Sequence, residues 1–253
     1  MKLRVATYNI HKGVSSIRST PRVLALKKAI ALFDADVVFL QEVQGRCDRN
    51  FAKYGEPTRG LRHWPEKAQH EFFADEGHHT AYGMNAVYDH GHHGNALLSR
   101  YPIANEKNHD VSDHKYESRG ILHCEVQTVI GIVHCFVVHL GLFEAGRKRQ
   151  GEALIECVRN SAPDDVPVII AGDFNDWRNT LSDSLREKLG VREVFDEVKT
   201  KPARTFPAML PWFRLDRIYV RGFKVERAEV LHGTVWGKLS DHAPVVADLQ
   251  LSL

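Results

Sequence analysis

Asp173 and Asn175 put a carboxylate and an amide two residues apart in Val168 to Trp177, where a run of β-branched residues gives way to polar ones. If the chain stays extended there, the two side chains share one side, because strand side chains alternate with period two. The edge of a core then carries one charged acceptor beside a group that both donates and accepts. Taken alone, the pair also reads as a strand end followed by an Asx turn. The same residue types recur at the limits of other apolar runs: Asn9, Glu42, His139, Asp216, Asp241 and His242. In a layered α/β protein such strand ends converge on one cleft. Carboxylate and amide oxygens without thiolates suit a hard cation, Mg²⁺ or Mn²⁺. The two histidines and remaining carboxylates supply proton transfer, so the set can bind a phosphate ester, activate a water and stabilise the displaced oxygen. No serine, cysteine or Gly-rich phosphate loop competes for this role.

The elements that must position these residues follow from hydrophobic pattern. Strands are predicted over Leu3 to Ile10, Asp36 to Glu42, Gly94 to Arg100, Gly120 to Thr128, Ile132 to Leu140, Leu215 to Val220 and Pro244 to Leu251, with a tight connection at Ile130-Gly131. A helix is expected over residues 20 to 33, with Thr20 as N-cap and Pro21 at its first position. A second covers about Ala145 to Ser161, with Gln150, Ala153, Leu154, Cys157 and Val158 inward and Arg147, Lys148, Arg149 and Arg159 outward as a solvated face. A short one runs from Leu181 to Leu189 and stops at Gly190. From Arg46 to His93 the pattern weakens; this stretch holds seven of the 15 histidines and reads as a short helix around Glu66 to Ala74 among long loops. Its histidine spacing matches no zinc pattern, so segment 63 to 93 is expected to form a polar rim. The mostly apolar segment Thr205 to Phe213 is expected to pack into the core, with a lip over the cleft as the alternative.

Composition sets the frame. With 253 residues and 43% hydrophobic content, residues 1 to 253 are expected to form one large domain. A net charge of +2 and a pI near 8.3 neither demand nucleic acid nor exclude it. The four cysteines form no CxxC and the N-terminus carries no basic segment followed by an apolar run, so a reduced, cytoplasmic protein is the expectation. Cys124 and Cys135, facing across a predicted hairpin, read as small buried hydrophobes. No 18-residue apolar run exists to span a membrane.

Thr7 to Ile10 (TYNI), Leu40 to Glu42 (LQE), Gly94 to Arg100 (GNALLSR), Val138 to Leu140 (VHL), Gly172 to Asn175 (GDFN), Leu215 to Ile218 (LDRI) and Ser240 to His242 (SDH) occur in that order over nearly the whole chain. Together they resemble the endonuclease/exonuclease/phosphatase, or DNase I-like, superfamily, and in particular its single-domain bacterial members. The resemblance implies an α/β fold, a four-layer αββα sandwich of two packed mixed β-sheets, and metal-dependent phosphoester hydrolysis. It implies Glu42 as principal metal ligand with Asn9 and Asp241 beside it, Asp173 as the residue that orients or deprotonates water, and Asn175 on a phosphate oxygen. It further implies His242 on the scissile phosphate, polarised by Asp216, His139 assisting the leaving group, and Asn95 and Arg119 as further phosphate contacts.

The substrate stays open at this point. A nuclease acting on DNA or RNA is the leading expectation. A phosphodiesterase or phosphatase for a phospholipid, a sphingomyelin-like ester or an inositol phosphate is the alternative, with peripheral lipid contact through Met209 to Phe213; an idle binding module is the third. A monomer is expected. His11 stands where apurinic endonucleases resemble one another in carrying an acid, which weakens that branch.

Overall fold

The computed structural model describes residues 1–15, 19–55, 62–74, 77–113, 117–198 and 203–252. In chain order these form β1 (Lys2–Asn9), α1 (Val23–Ala31), β2 (Val37–Cys47), α2 (Asp48–Tyr54), α3 (Gln69–Phe73), β3 (His79–Tyr88), β4 (Gly91–Ser99), β5 (Ile103–Asp110) and β6 (Gly120–Thr128). There follow β7 (Gly131–His139), α4 (Glu144–Ser161), β8 (Val168–Asp173), α5 (Ser182–Leu189), β9 (Arg192–Glu193), α6 (Val194–Val198), β10 (Asp216–Arg221), β11 (Phe223–Val230), α7 (Thr234–Leu239) and β12 (Val245–Leu251). The strands make two six-stranded sheets, ordered β11-β12-β1-β2-β4-β3 and β5-β6-β7-β8-β10-β9.

Each sheet contains one parallel pair, β1 with β2 and β7 with β8, flanked by antiparallel neighbours. Parallel strands need a crossover, which α1 and α4 supply. Both C-terminal ends of each pair therefore reach one edge of their sheet: Asn9 lies beside Gln41, and His139 beside Asp173. The antiparallel neighbours begin at that same edge. Asp216 opens β10 opposite Asp173, and β12 starts with Val245 opposite Thr7, so Ser240 to His242 arrive there just before it.

Alternation fills three apolar layers. Between the sheets lie Val5, Phe39 and Leu97 from one and Cys124, Val137, Ile169 and Ile218 from the other. Tyr8, Leu40 and Val246 on the first sheet's outer face meet Leu26 and Ile30 of α1, while Phe136, Val138 and Ile170 on the second's meet Leu154, Val158 and Leu185 of α4 and α5. The result is the αββα sandwich expected from the motifs. Cys124 and Cys135 pair in register as buried free thiols. Among the described residues no helix is long and apolar enough to cross a membrane.

Several expectations are corrected. The region 46–93 holds the end of β2, all of β3 and the start of β4 rather than long loops, although Pro57 falls outside the described residues. Register shifts at Leu40/Val43, Gln44/Arg46 and Met84/Ala86 break the period of two that marks a strand. Helix α1 starts at Val23 because Pro21 forms a β-bridge with Val14 and the Thr20 hydroxyl bonds Ser15 instead of capping. Arg147 is buried, not outward, and Gln150, Leu154 and Val158 follow it on the same face at helical spacing.

Candidate active site

Four polar groups converge on the Asp173 carboxylate, which is 1% exposed at the end of β8. Asn9 Nδ2 donates to Oδ2 at 3.1 Å, and the Asn175 backbone N–H donates to Oδ1 at 3.0 Å. His139 Nε2 and His242 Nε2 each lie 3.6 Å from Oδ2. His242 Nδ1 is held at 2.8 Å from Oδ2 of the fully buried Asp216. Donor atoms of Asp173, Asp216 and His242 all fall within 4.8 Å of one another. Six residues thus meet at one carboxylate, some through hydrogen bonds and the two histidines through ion-pair contacts at 3.6 Å.

The backbone is bent to make it. Gly172 has φ +151, and a side chain there would collide with the Val138 carbonyl, so only glycine lets β8 run this close to β7. Asn175 (φ 50) and Glu42 (φ 56) occupy the left-handed region that side-chain-bearing residues avoid. Glu42 sits in the bulge between Leu40 and Val43, which turns its side chain into the cleft, 3.8 Å from Lys12 Nζ. Asp241 is joined to His11 Nδ1 at 3.2 Å, and the His11 N–H donates to Asn9 Oδ1 at 3.1 Å.

Electrostatics divide the two histidines. Burial alone would lower the His242 imidazole, but Asp216 and Asp173 outweigh it and raise its pKa to about 10, which favours the imidazolium. Burial, with Arg119 and His242 adding like charge, drives His139 well below the ordinary value and keeps it neutral. Burial likewise raises the Asp173 carboxyl against the pull of His242. Asp241 is lowered: its burial is outweighed by the His11 hydrogen bond and the charge of His242.

Glu42, Arg119, His139, Asp173, Asn175 and His242 line a cleft of about 410 Å³. Arg119 keeps its Nε buried without a hydrogen-bond partner among the described residues. Asn95 is placed differently: both hydrogens of its fully buried amide go to carbonyls across the sandwich, Gly120 O at 2.9 Å and Val137 O at 3.3 Å. It braces the two sheets and has no donor left for a phosphate. For a cation, Glu42, with only Lys12 Nζ at 3.8 Å, is the least committed carboxylate of the set it makes with Asn9 and Asp241, whereas Asp173 and Asp216 already accept from Asn9, the Asn175 N–H and His242, with Asp216 Oδ1 left unpaired among the described residues. An all-oxygen set fits a hard divalent ion.

The other wall of the cleft is apolar: Leu142, Trp177, Phe206, Phe213 and Leu215. Phe206 leans on the His242 ring with centroids 4.9 Å apart. Its loop is stitched to the catalytic edge by Ala208 N to Asp241 O and Ala243 N to Thr205 O. The expected core packing of Thr205 to Phe213 holds for Thr205 and Ala208, which are buried, and fails beyond them: Met209, Leu210, Trp212 and Phe213 stand exposed as the alternative lip. Lys12 had no sequence signal, since it ends no apolar run; Phe206 lies in the apolar segment whose alternative reading is a lip over the cleft. His93, from the His-rich segment, is also close: burial first, then Lys12, lower it to about 4, with Glu42 opposing.

The chain matches the Endonuclease/Exonuclease/phosphatase family over residues 6–242. It is 43% identical over 251 residues to the protein YbhP of Escherichia coli (strain K12), covering 98% of this chain and 96% of that one. Among solved structures it is similar to D. rerio TDP2 complexed with single strand DNA product (TM-score 0.70, 19% identity, 98% of this chain and 99% of that chain). It is also similar to a mannosyl-6-phosphatase of Bacteroides thetaiotaomicron (TM-score 0.71, 18% identity, 98% and 100% covered).

Proposed function

This chain belongs to the endonuclease/exonuclease/phosphatase family, and we propose that it hydrolyses a phosphoester by direct attack of water, with a divalent cation, Mg²⁺ or Mn²⁺, at Glu42, Asn9 and Asp241. The observation that carries this is the convergence of Asn9, Asn175, His139 and His242 on one buried carboxylate. When bound, the cation neutralises phosphate charge and polarises the ester. Asp173 orients the water and takes its proton; a carboxyl raised by burial is a stronger base for that step. His242, kept protonated and fixed by Asp216, donates to a non-bridging phosphate oxygen as negative charge builds. Asn175 gives Nδ2 to Leu140 O at 2.9 Å and retains a second hydrogen for the phosphate. Arg119, which also lines the cleft, adds positive charge, and neutral His139 is placed to serve the leaving oxygen.

For the substrate, nucleic acid finds support in the likeness to TDP2, whose structure holds single strand DNA product. The rim favours a second reading, an amphiphilic phosphoester of the phospholipid class. Leu142, Trp177 and Phe213 line the cleft, and Phe143, Met209, Leu210 and Trp212 neighbour them in sequence, each of the seven between 44% and 71% exposed. Such an apolar rim suits acyl chains or a lipid surface better than a phosphate backbone, which is gripped by Lys and Arg. The test is a panel with Mg²⁺ and Mn²⁺: single- and double-stranded DNA, abasic DNA, RNA, sphingomyelin and other phospholipids in vesicles, and inositol phosphates, with Asp173→Ala alongside. Turnover of phospholipid that Met209→Ser/Trp212→Ser abolishes, while a soluble ester is still cleaved, supports the lipid reading. Salt-sensitive DNA cleavage untouched by that substitution overturns it.

A further inference from the structure

A second cluster of ligating side chains lies on the outer face of the second sheet, away from the cleft. Alternation along β6 sends Cys124 into the core and His123 and Glu125 outward. The β6–β7 register sets Glu125 opposite His134 and His123 opposite Phe136, so the two histidines are diagonal neighbours. Nε2 of His123 lies 3.0 Å from Nδ1 of His134, and one donor atom from each of His123, Glu125 and His134 falls within 4.8 Å of the others. Both histidines are buried. On β5, where His109 faces Ile121 in register, the His109 Nε2 is buried without a hydrogen-bond partner among the described residues. From His134 to His139 is five strand positions, roughly 16 Å, and the two residues point to opposite faces. The hydrolytic constellation uses none of these groups.

We propose that His123, Glu125 and His134 form a binding site for a transition-metal ion of the zinc class, separate from the hard-cation site in the cleft. Two imidazoles and a carboxylate are a borderline-soft donor set that Mg²⁺ binds poorly and Zn²⁺ binds well. A tetrahedral ion with bonds of about 2.0–2.1 Å sets its ligand atoms roughly 3.3 Å apart, close to the spacing the two imidazole nitrogens already have. Glu125, only partly buried, closes the remaining gap by a side-chain movement. The ion would cross-link β6 to β7, with His109 on the sheet's edge strand next to it. A hydrogen bond between the rings satisfies one proton and one lone pair, and Glu125 has a long contact from Asn105 Nδ2 at 3.5 Å to Oε1, which a metal ion would replace or leave to the second oxygen.

The test takes the full chain, strips it with a chelator, holds it in excess Mg²⁺ to occupy the cleft, and titrates Zn²⁺ against a chromophoric competitor. One equivalent of Zn²⁺ is expected, weakened at least about tenfold by His134→Gln or by Glu125→Gln and unchanged in Glu42→Gln. Zn²⁺ should also raise the melting temperature of the wild type but not of His123→Gln/His134→Gln. If the histidine variants fail to fold by circular dichroism, Glu125→Gln, a nearly isosteric change at a partly buried position, decides the same question. No Zn²⁺ uptake over Mg²⁺, uptake indifferent to Glu125→Gln, or uptake lost in Glu42→Gln each overturns the proposal.

Discussion

Asp216→Asn keeps the shape of a fully buried side chain and removes only its charge, 2.8 Å from the His242 ring. Two unit charges at that distance, with an effective dielectric of about 20, attract by roughly 6 kcal/mol before desolvation is subtracted. Breaking a buried pair costs about 3–5 kcal/mol in practice, because one charge is left uncompensated. The sign with pH follows from His242, whose folded pKa, about 10, lies above the ordinary 6.5. Its contribution to stability is complete below about 6.5 and is lost as pH rises through about 10. The gap in melting temperature between wild type and Asp216→Asn should therefore be widest near pH 6 and shrink steadily towards about pH 10. Catalysis should follow, since an unorientated, more readily deprotonated imidazole donates less to the phosphate; kcat on an activated phosphodiester should fall about 10²–10⁴-fold. The basic limb of the pH–rate profile should also move to lower pH. A melting gap constant across this range, or a basic limb that stays in place, refutes the imidazolium role assigned to His242.

Glu42→Gln should lower metal-dependent turnover at least about a hundredfold while changing stability by less than about 0.5 kcal/mol, because the side chain stands at the cleft mouth rather than in the core; metal titration of activity and a urea curve read both. Glu193 is buried with neither carboxylate oxygen hydrogen-bonded among the described residues, and burial raises its pKa to about 7 against Arg214 at 3.7 Å. The folded state then holds the proton between about 4.5 and 7, so wild-type stability falls as pH rises through that window; Glu193→Gln should remove the slope and be the more stable form at about pH 8, by up to roughly 3 kcal/mol in urea midpoints. Arg147 Nη1 donates to the Gly141 and Leu142 carbonyls while its guanidinium lies 4.9 Å from the Trp177 ring. Arg147→Leu should cost at least about 2 kcal/mol by stranding those carbonyls, and limited proteolysis should show faster cutting in residues 141–143.

Much of the sandwich was legible because its central strands are buried on both faces. Val168 to Gly172 is an unbroken run without a polar side chain, and burial is complete along β8 through Asp173. Edge and bulged strands were not. β5 reads Ile-Ala-Asn-Glu-Lys-Asn-His-Asp, a largely exposed edge whose charges blunt further pairing and leave no apolar alternation to detect. β3 and the outer half of β4 lost their signal to shifts of register. Burial of Arg147 was readable in principle, since Gln150, Leu154 and Val158 mark its face, but its charge outweighed its spacing. The lip was readable only as an alternative: apolar residues in a loop describe a core filler and an exposed rim equally well, and only the sheet edge decides between them.

The failures of local pattern also coincide with the chemistry. Of the seven described residues other than glycine with left-handed φ, four, His11, Lys12, Glu42 and Asn175, belong to the cleft or its contacts, while Ser19, Asp34 and Asn179 lie elsewhere. Each such residue costs on the order of 1–3 kcal/mol unless its surroundings impose it. Here they do: the Leu40/Val43 bulge turns Glu42, and Asp173 accepts the Asn175 N–H that the turn presents. A regular strand would leave Glu42 pointing across the sheet and Asn175 without that contact. Regular alternation builds the two sheets and brings Asn9, His139, Asp173 and Asp216 to one edge; departures from it aim Glu42 and Asn175 into the space between them. Placement of the carboxylates is therefore a property of the fold, while their convergence is a property of the strained positions, and substitution of Glu42 or Asn175 by glycine separates the two by relaxing the backbone while deleting the ligand.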